Sequence, residues 1–462
     1  MSDIYFSNVH LENDTDYFLY IGEIKSYGIN LFLRESLSKI HGCRFDFISV
    51  VPDVLEDYPW LNVMVLNPLL QEHSSRHGSR VSCRVPAPAF MASVSKHPAV
   101  TDLVHTLLGR QKNVFIYMHE SVPELTLDEI PGVSILGPDR EIAHRLNSKI
   151  VQYTGLTGVV PLVEFKVCDG LKSLVETTDR LWEKWPDGIF VSHEYSAAGI
   201  NAALAHRLRD ITDTFVDRDA TYLISRYLPH RHDPTVLAVV ANERDIYIAG
   251  VADQCIEGGI RFTGSTFPSV LKEDDVSVLK EHTRAVGKWM AKAGYRGIYG
   301  CDFLIDYSGG IHFLEINARK QGTTMEFCCT LEQSLPPGSP MLPELEYFAV
   351  TENRFPDNTR EMENGSEKLH WGTYNVKIGK PVRTGGGLPN SFDERGTFRR
   401  LARTNRESEV IILEHVGSDC IALSGSFLGR VVALGSDHSS VGRGIEQGKK
   451  TIERTIVEER YQ

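Results

Sequence analysis

The sequence lacks an excess of positive charge and long apolar runs, and each absence excludes a class of protein. Its 462 residues carry 49 Lys and Arg against 61 Asp and Glu, a net charge of −12, whereas nucleic-acid-binding domains usually show a basic balance or stripe. No apolar run approaches the ~18 residues that a membrane span needs. The opening residues lack the basic and apolar regions of a secretory signal. We therefore expect no nucleic-acid partner and no membrane partner.

Cysteine is scarce and shows no pattern. The eight cysteines include no C-x-x-C pair, so the sequence predicts neither a zinc site nor a disulfide framework. Reduced thiols in a chain of this length are typical of the cytoplasm, and we expect that localisation. The motifs G-x-S-x-G, H-E-x-x-H and G-x-x-x-x-G-K-[ST] are also missing. Any ATP site must therefore differ from a P-loop.

Apolar runs and turns divide the chain into regions. Strand-like and helical segments alternate up to residue 138, which predicts an N-terminal α/β domain. Within it, Leu69–Pro88 is rich in Ser, Arg, His and Pro and is expected to be a loop. A strand at Ile189–His193 precedes the small-residue loop Ser196–Gly199, and a helix is predicted from that loop through Leu208. Short β-like runs follow Asp357–Lys368, a polar segment that we interpret as a linker.

The most informative segment is the predicted hairpin Gly300–Arg319. Alternating apolar runs flank a turn signal at residues 307–310. A loop of two residues (308–309) or four (307–310) places Asp302 directly opposite Glu315, with Asn317 two residues further along the same face. The alternate positions are then expected to face the core: Phe303, Ile305, Leu314 and Ile316.

The polar face of this hairpin predicts a cation site. Two carboxylates opposite each other on a sheet repel, and a cation between them removes that cost. Carboxylate and amide oxygens suit Mg²⁺, so Asp302, Glu315 and Asn317 are candidate ligands of one or two Mg²⁺. Arg319 follows on the same face, and its planar guanidinium suits a phosphate or carboxylate. From geometry alone, an acidic face that simply contacts water stays open.

The spacing of Asp302, Glu315-Ile316-Asn317 and Arg319 resembles the metal-binding hairpin of the ATP-grasp superfamily of carboxylate–amine ligases. Further segments resemble this family in the same order, from about residue 139 to 330. They are Asn147-Ser148-Lys149, Gly158–Pro161, Thr221–Leu228, Asp253-Gln254 and Thr263-Gly264-Ser265. The last two resemble peptide-ligase members, including the pheganomycin-type ligases of natural-product pathways.

The resemblance implies an ATP-grasp fold with a small lobe at 139–218, a large lobe at 219–335 and a C-terminal β-containing extension at 336–462, an α/β (α+β) protein overall. It implies ATP as co-substrate, with Lys149 on phosphate and Arg319 as the catalytic group that grips the transferring phosphoryl or the substrate carboxylate. The hinge-strand backbone at Arg226 and Leu228 would hold adenine, Tyr227 between them would also belong to the ATP site, and Ser196 would lie close to phosphate.

One departure from the family concerns a second phosphate-binding lysine, which members usually carry on the strand before the small-residue loop. Here that strand reads Phe190-Val191-Ser192-His193, and no lysine occurs between residues 185 and 271. We expect a cationic substitute from His193, Arg226 or Arg261, with Arg261 on phosphate or substrate.

The implied reaction is ATP-dependent amide formation through an acylphosphate, with release of ADP and phosphate. The expected partners are a small-molecule carboxylate and an amine or peptide. A small-molecule kinase of the same fold and a non-catalytic nucleotide-binding module stay open as alternatives, and so does a homodimer. The last ~120 residues are not assigned to any segment of the family.

Overall fold

The computed structural model describes residues 4–55, 57–58, 61–77, 80–196, 201–259, 261–367, 369–388, 393–403, 408–413, 415–418 and 420–457. Helices and strands alternate in the N-terminal domain, whereas runs of consecutive strands form the later sheets, as in an α/β (α+β) protein. None of the helices in these ranges is long and apolar enough to cross a membrane. Within the described ranges, the eight cysteines form no disulfide.

The N-terminal domain is a parallel sheet covered by helices. Its region contains the strands β1 (Ile4–Ser7), β2 (Asp16–Ile21), β3 (Phe45–Val51), β4 (Val63–Leu66), β5 (Arg80–Ser82), β6 (Val114–Met118) and β7 (Val133–Leu136). The helices are α1 (Ile29–His41), α2 (Leu70–His77), α3 (Ala87–Lys96) and α4 (Pro98–Leu108). The sheet order is β1-β4-β3-β2-β6-β7, with only β1 antiparallel among these strands. The order reverses between β2 and β6, so their carboxyl ends border a crevice of the kind that binds ligands in open α/β sheets.

The predicted loop at Leu69–Pro88 is wrong, because this segment contains α2 and β5. β5 does not join the N-terminal sheet and instead pairs with a strand near the end of the chain, Cys420–Ala422. No local pattern reveals a strand whose partner is more than three hundred residues away.

Two helices lead into a small antiparallel lobe. The elements are α5 (Arg140–Asn147), α6 (Lys149–Leu156), β8 (Phe165–Asp169), α7 (Gly170–Leu181), β9 (Ile189–His193), β10 (Ala202–Ala205), α8 (Leu208–Thr212) and β11 (Thr221–Arg226). The sheet order is β10-β9-β11-β8. β11, which a boundary at 219 would give to the large lobe, therefore lies in the small-lobe sheet.

The helix predicted through Leu208 is also wrong in its first part, since Ala202–Ala205 is a strand. Its alanines favour helix by propensity, but the segment pairs antiparallel with β9, Ala202 opposite Ser192. Tertiary pairing overrides the local preference. Residues 197–199 of the predicted small-residue loop lie outside the described residues.

The large lobe and the C-terminal region share one sheet. The large-lobe elements are β12 (His230–His232), β13 (Pro234–Val240), β14 (Ile246–Glu257), β15 (Arg261–Phe267), α9 (Glu273–Lys292), β16 (Gly297–Asp306), β17 (Ile311–Asn317), α10 (Thr324–Ser334) and α11 (Leu342–Glu352). The C-terminal elements are β18 (His370–Lys377), β19 (Val382–Thr384), α12 (Glu394–Leu401), β20 (Ser408–Leu413), β21 (Cys420–Ala422), β22 (Phe427–Gly435), α13 (His438–Glu453) and β23 (Ile456–Val457). The main sheet runs β12-β16-β13-β14-β15-β18-β22-β20, with β17 on β16.

The C-terminal region is thus built into the body of the protein. β18 extends the large-lobe sheet from β15, with Thr266 opposite Gly372. One apolar core joins Phe18 of the N-terminal domain, Phe327 of α10 and Trp371 of β18, all with at most 2% exposure. A second sheet, β23-β19-β21-β5, links the two ends of the chain.

Candidate active site

The hairpin of β16 and β17 has the predicted register where the polar residues lie. Asp302 pairs with Glu315, and Gly300 pairs with Asn317. Nearer the turn the pairing shifts by one residue, so that Ile305 lies opposite Ile311. The reason is a β-bulge at Leu314, where two residues of one strand oppose one of the other.

Because of the bulge, one of the four residues expected in the core, Leu314, lies elsewhere. Phe303, Ile305 and Ile316 are buried as expected, but Leu314 lines a cleft together with Glu315. Phe313 takes the core position and is fully buried. The bulge therefore presents an apolar and an acidic side chain side by side on the cleft wall.

Asp302 lies at the centre of a buried hydrogen-bond network. Thr235 Oγ1 donates to Asp302 Oδ1 at 2.6 Å, and Asn317 Nδ2 donates to Asp302 Oδ2 at 2.9 Å. Gln321 Nε2 lies 3.4 Å from the same Oδ1. A side chain at Gly300 would overlap with Gln321, so glycine is required for this approach. Burial raises the pKa of Asp302, opposed by hydrogen bonds from Thr235, Gln254 and Asn317 and by the charge of Lys149.

Lys149 reaches the same acids from the opposite side of the cleft. Its ammonium contacts Glu315 Oε2 in an ion pair that is largely shielded from solvent. Burial lowers the pKa of Lys149 to about 8, with Asp302 opposing that shift. The lysine therefore offsets one of the two negative charges that the acid pair can carry.

The helix that carries Lys149 is tied to the end of β9. Ser148 caps α6 by accepting the N–H of Val151, and its hydroxyl donates to Glu194 Oε1 at 2.6 Å. The backbone N–H of Lys149 donates to the Glu194 carbonyl at 3.0 Å. Sequence reasoning missed Glu194, which fixes the lysine relative to the small lobe.

Arg319 is held in place by both its own strand and the N-terminal domain. Its Nη2 donates to Asn317 Oδ1 at 2.9 Å, and its Nη1 donates to the Lys320 carbonyl at 3.0 Å. Its Nε lies 3.7 Å from Glu120 Oε2, just after β6. Beneath it, Lys320 and Glu346 form a buried ion pair at 2.8 Å. The guanidinium is therefore oriented from several sides.

The oxygen donors of the hairpin fit a Mg²⁺ ion that is bound together with a nucleotide, and not a metal site in which protein side chains supply every ligand. Within the described ranges, no three His, Cys, Asp or Glu side chains cluster as metal ligands. The hairpin offers two carboxylates and the Asn317 amide, all hard oxygen donors. Mg²⁺ commonly binds through one or two carboxylates and completes its shell with substrate phosphates and water. Asp302, Glu315 and Asn317 therefore fit a magnesium ion that arrives with a nucleotide.

The cleft lies between the two lobes and is lined by residues of both. Its apolar walls come from both lobes: Tyr153, Val163, Phe190, Leu223, Ile256, Leu304 and Leu314. A second cleft follows on the far side of the acids and contains Asn317, Arg319 and Gln321. Asp302 and Glu315 border both clefts, so the acids stand between an apolar pocket and a polar one.

Most of the predicted nucleotide residues border the first cleft. Lys149, Ser196, Arg226, Tyr227 and Leu228 all line it. The backbone N–H of Arg226 is already bonded to the Glu164 carbonyl, and that of Tyr227 to the Gly188 carbonyl.

The structure does not bring His193 to the cleft. Its ring packs 4.9 Å from Tyr222 and 5.6 Å from Phe215, on the small-lobe core. Successive strand residues face opposite sides, and the cleft-facing residues of β9 are Phe190 and Ser192. The hydroxyl of Ser192 is buried and makes no hydrogen bond within the described part of the chain.

Arg261 does not line the first cleft either. It is exposed and lies 3.4 Å from Glu257, while the next residue, Phe262, borders both clefts.

His230 is a further cleft residue that sequence reasoning did not assign to the site. Its Nε2 lies 2.8 Å from Asp233 Oδ1 and its Nδ1 lies 2.8 Å from the Leu228 carbonyl. The Asp233 hydrogen bond raises the pKa of His230. A protonated ring would donate to both partners and so fix the hinge at Leu228. The spacing His-x-x-Asp after the hinge strand was the available signal.

Comparison with known proteins identifies the ATP-grasp family, the same family that the hairpin sequence resembles. A model described as an ATP-grasp domain matches residues 186–323. A butirosin acyl-carrier protein–L-glutamate ligase from Niallia circulans is 23% identical over 214 residues, which is 44% of this chain and 50% of that protein. The chain thus spans about half the length of this curated relative.

Two solved structures share the fold over almost the whole chain. A biotin carboxylase from Campylobacter jejuni, in a complex with β,γ-ATP, superposes with a TM-score of 0.59 at 12% identity and covers 96% of this chain and 92% of its own. A carboxyaminoimidazole ribonucleotide synthase from Aspergillus clavatus, complexed with ATP, gives 0.55 at 14% identity, with 94% and 98% covered. The resemblance drawn from the hairpin is confirmed: this chain has the ATP-grasp fold, and its residues 186–323 are an ATP-grasp domain.

Proposed function

We propose that this chain is an ATP-dependent ligase that joins a carboxylate to an amine and releases ADP and phosphate. The observation that carries the proposal is the meeting of Asp302, Glu315 and Arg319 with Lys149 between an apolar cleft and a polar one. This arrangement supports a site in which the adenine base of ATP lies in the first cleft and the phosphates lie at Asp302 and Glu315. The carboxylate substrate would then bind in the second cleft.

The first step is phosphoryl transfer to the substrate carboxylate. A carboxylate oxygen attacks the γ-phosphorus, the bond from that phosphorus to the β-bridging oxygen breaks, and ADP leaves with the electron pair. Such transfer depends mainly on alignment and charge stabilisation. Lys149 supplies one positive charge from the small-lobe side, and Arg319 supplies another from the large-lobe side, next to the polar cleft.

The second step is displacement of phosphate by the amine. The amine nitrogen attacks the acyl carbon, the carbon–oxygen bond to phosphate breaks, and the nitrogen gives up a proton. Arg319, held by Asn317 and Glu120, is placed to stabilise charge on the departing phosphate. In this proposal no side chain acts as a covalent nucleophile.

Mg²⁺ would be held by Asp302, Glu315 and Asn317, and when bound it would neutralise charge on the terminal phosphates. For Glu315 to reach the ion, the Lys149 ammonium must leave Glu315 and turn to phosphate. Asp302 keeps its orientation through Thr235.

The relative from Niallia circulans suggests which substrates to test first. Its name joins a carrier protein to L-glutamate, so an amino acid and a carrier-protein acceptor are candidates beside a free amine or peptide. We propose a role in natural-product assembly on the same basis.

The test measures nucleotide products with a panel of carboxylates, with and without amines, including L-glutamate and hydroxylamine as a small trapping amine. Ligation predicts carboxylate-dependent release of ADP, and a hydroxamate with hydroxylamine. The Glu315→Gln variant should form neither, whereas Glu176→Gln, an exposed acid on α7, should match wild type.

Other outcomes identify the two alternatives. A stable phosphorylated product that no amine consumes would indicate a kinase. Binding of ATP without turnover on any carboxylate would indicate a nucleotide-binding module. Pyrophosphate formed in step with product would contradict the acylphosphate route, since it requires attack at the α-phosphate.

A further inference from the structure

Four basic side chains from four separate segments converge beside the catalytic cleft. Lys25 follows β2 in the N-terminal domain, Arg84 follows β5, Arg261 begins β15 and Lys377 ends β18. Lys377 Nζ donates to the Phe262 carbonyl at 2.7 Å, and Phe262 borders both clefts. The basic cluster, defined by these four residues, thus adjoins the site of the chemistry.

The cluster contains more positive charge than its neighbours offset. Lys25 contacts Glu23, and Arg261 lies 3.4 Å from Glu257. Among the described residues, no carboxylate lies within ion-pair distance of Arg84 or Lys377. Burial, together with Arg261, Arg84 and Lys25, lowers the pKa of Lys377 to about 8. Like charges held together in this way are costly unless an anion joins them.

The cluster borders an open crevice through Arg84. Glu23, Arg84 and Phe427 line a cavity between the N-terminal domain and β22, and the Lys377 ammonium lies 5.7 Å from the Phe427 ring. Asp53 also lines this cavity, and its carboxylate accepts the Ile24 N–H. Space for a ligand is therefore present at the cluster.

A line of charged groups connects the crevice to Arg319. In the N-terminal sheet, the crevice is lined by Glu23, which follows β2, and by Pro52–Leu55, which follow β3. His119, after β6, interacts with Lys25 and Glu23 on one side and with Arg319 on the other. The charge of the cluster therefore acts on Arg319 through His119, while Lys377 lies next to the catalytic cleft through Phe262.

We propose that Lys25, Arg84, Arg261 and Lys377 form an anion subsite that binds a second anionic group, a carboxylate or a phosphate, of the substrate that reacts in the adjoining cleft. This inference rests on the proposed ligase function and specifies its substrate class as doubly anionic. Lysine and arginine from different segments suit a flexible anionic end, because each contributes charge from its own direction.

The test is calorimetric titration of the full chain saturated with MgADP, using two pairs of probes that differ mainly in one anionic group. L-Glutamate against L-glutamine represents a carboxylate source, and L-phosphoserine against L-serine represents a phosphate source. We expect the anionic member of at least one pair to bind more tightly. Arg84→Gln and Lys377→Gln should each reduce that preference by about tenfold, and Lys377→Arg should retain it.

The control is Lys172→Gln, which removes an exposed lysine on α7 and should leave the preference unchanged. The subsite is overturned if neither pair shows a preference in wild type, if no probe binds, or if Arg84→Gln and Lys377→Gln leave the preference intact. Because the readout is probe binding, it is independent of turnover. If wild type shows the binding preference but forms no ADP with any carboxylate, the ligase proposal is contradicted and the anion subsite is supported.

Discussion

The two walls of the cleft differ in how their chemistry is assembled. On the large-lobe wall, one hairpin supplies Asp302, Glu315 and Asn317, and each contacts another polar group of the site. On the small-lobe wall, Phe190 and Leu223 are apolar, and Ser192 has a buried hydroxyl without a partner among the described residues. The polar side chains of the hairpin thus already contact one another or Lys149, whereas the Ser192 hydroxyl is left to bind a ligand.

Removing charge from the large-lobe wall should have the largest effect. Asp302→Asn and Glu315→Gln should each lower ADP release by at least about 100-fold, the scale of losing one electrostatic group in phosphoryl transfer. Burial raises the pKa of Asp302, so the fold favours the uncharged group and the melting temperature of Asp302→Asn should hold or rise slightly. Wild-type turnover in saturating Mg²⁺ would contradict the metal assignment.

Lys149 joins the two walls, and its removal should have the next largest effect. Lys149→Gln should weaken nucleotide affinity and turnover together, by about tenfold or more. Since burial lowers the pKa of this lysine, the fold gains little from its charge, and the melting temperature should change by only a few degrees. Titration of MgATP, with Lys172→Gln as the matched exposed lysine, measures the affinity. Equal affinities in the two variants would remove Lys149 from the phosphate site.

On the small-lobe wall, Ser192→Ala should separate binding from stability. A buried hydroxyl without a partner costs about 1–3 kcal/mol, so the alanine variant should be as stable as wild type or more so. Its MgATP affinity should fall about threefold if the hydroxyl donates to phosphate, the scale of a single neutral hydrogen bond.

His193→Gln is the matched control for that test, since it changes the next residue of the same strand on the opposite face. It should leave MgATP affinity unchanged between pH 6 and 8.5. A fall in affinity with rising pH that disappears in His193→Gln would show that His193 contacts phosphate after all.

The hinge between the walls should show the smallest effect, and one that depends on pH. The Asp233 hydrogen bond raises the folded pKa of His230, so its contribution to stability is full below the unfolded value of about 6.5 and is lost as pH rises through the folded value. The difference in melting temperature between wild type and His230→Gln should thus be largest near pH 5.5. Because the ring is only partly buried, the contribution stays below about 1 kcal/mol. A difference that grows with pH would contradict the protonated hinge.

The two walls of the cleft also differ in how well the sequence predicts them. The acid site was predictable because Asp302, Glu315 and Asn317 lie within one hairpin, where strand alternation and a turn signal determine which residues meet. The bulge at Leu314 was not, because it depends on how the cleft packs. His193 was assigned to the cleft although it shares a strand face with Ile189 and Val191, which are buried; the apolar character of that face was the overlooked signal.

Contacts between residues far apart in the chain could not be predicted, because they leave no local pattern in the sequence. The strand at Ala202–Ala205 looks helical until β9 pairs with it, and the pairing of β5 with β21 has no local signature. The basic cluster is equally invisible in the sequence, since its members lie between residues 25 and 377 and meet only in the folded chain.

The pairing of β5 with β21 has a consequence for synthesis. During translation, Arg80–Ser82 has no strand partner until Cys420–Ala422 has left the ribosome. Arg395 likewise bonds Glu35, 360 positions earlier. Contacts of such sequence separation close late and slow folding, and unpaired strand edges favour association with other chains. The nascent protein therefore exposes an unpaired strand at Arg80–Ser82 for most of its elongation. A chaperone that covers β5 should raise the yield of folded protein.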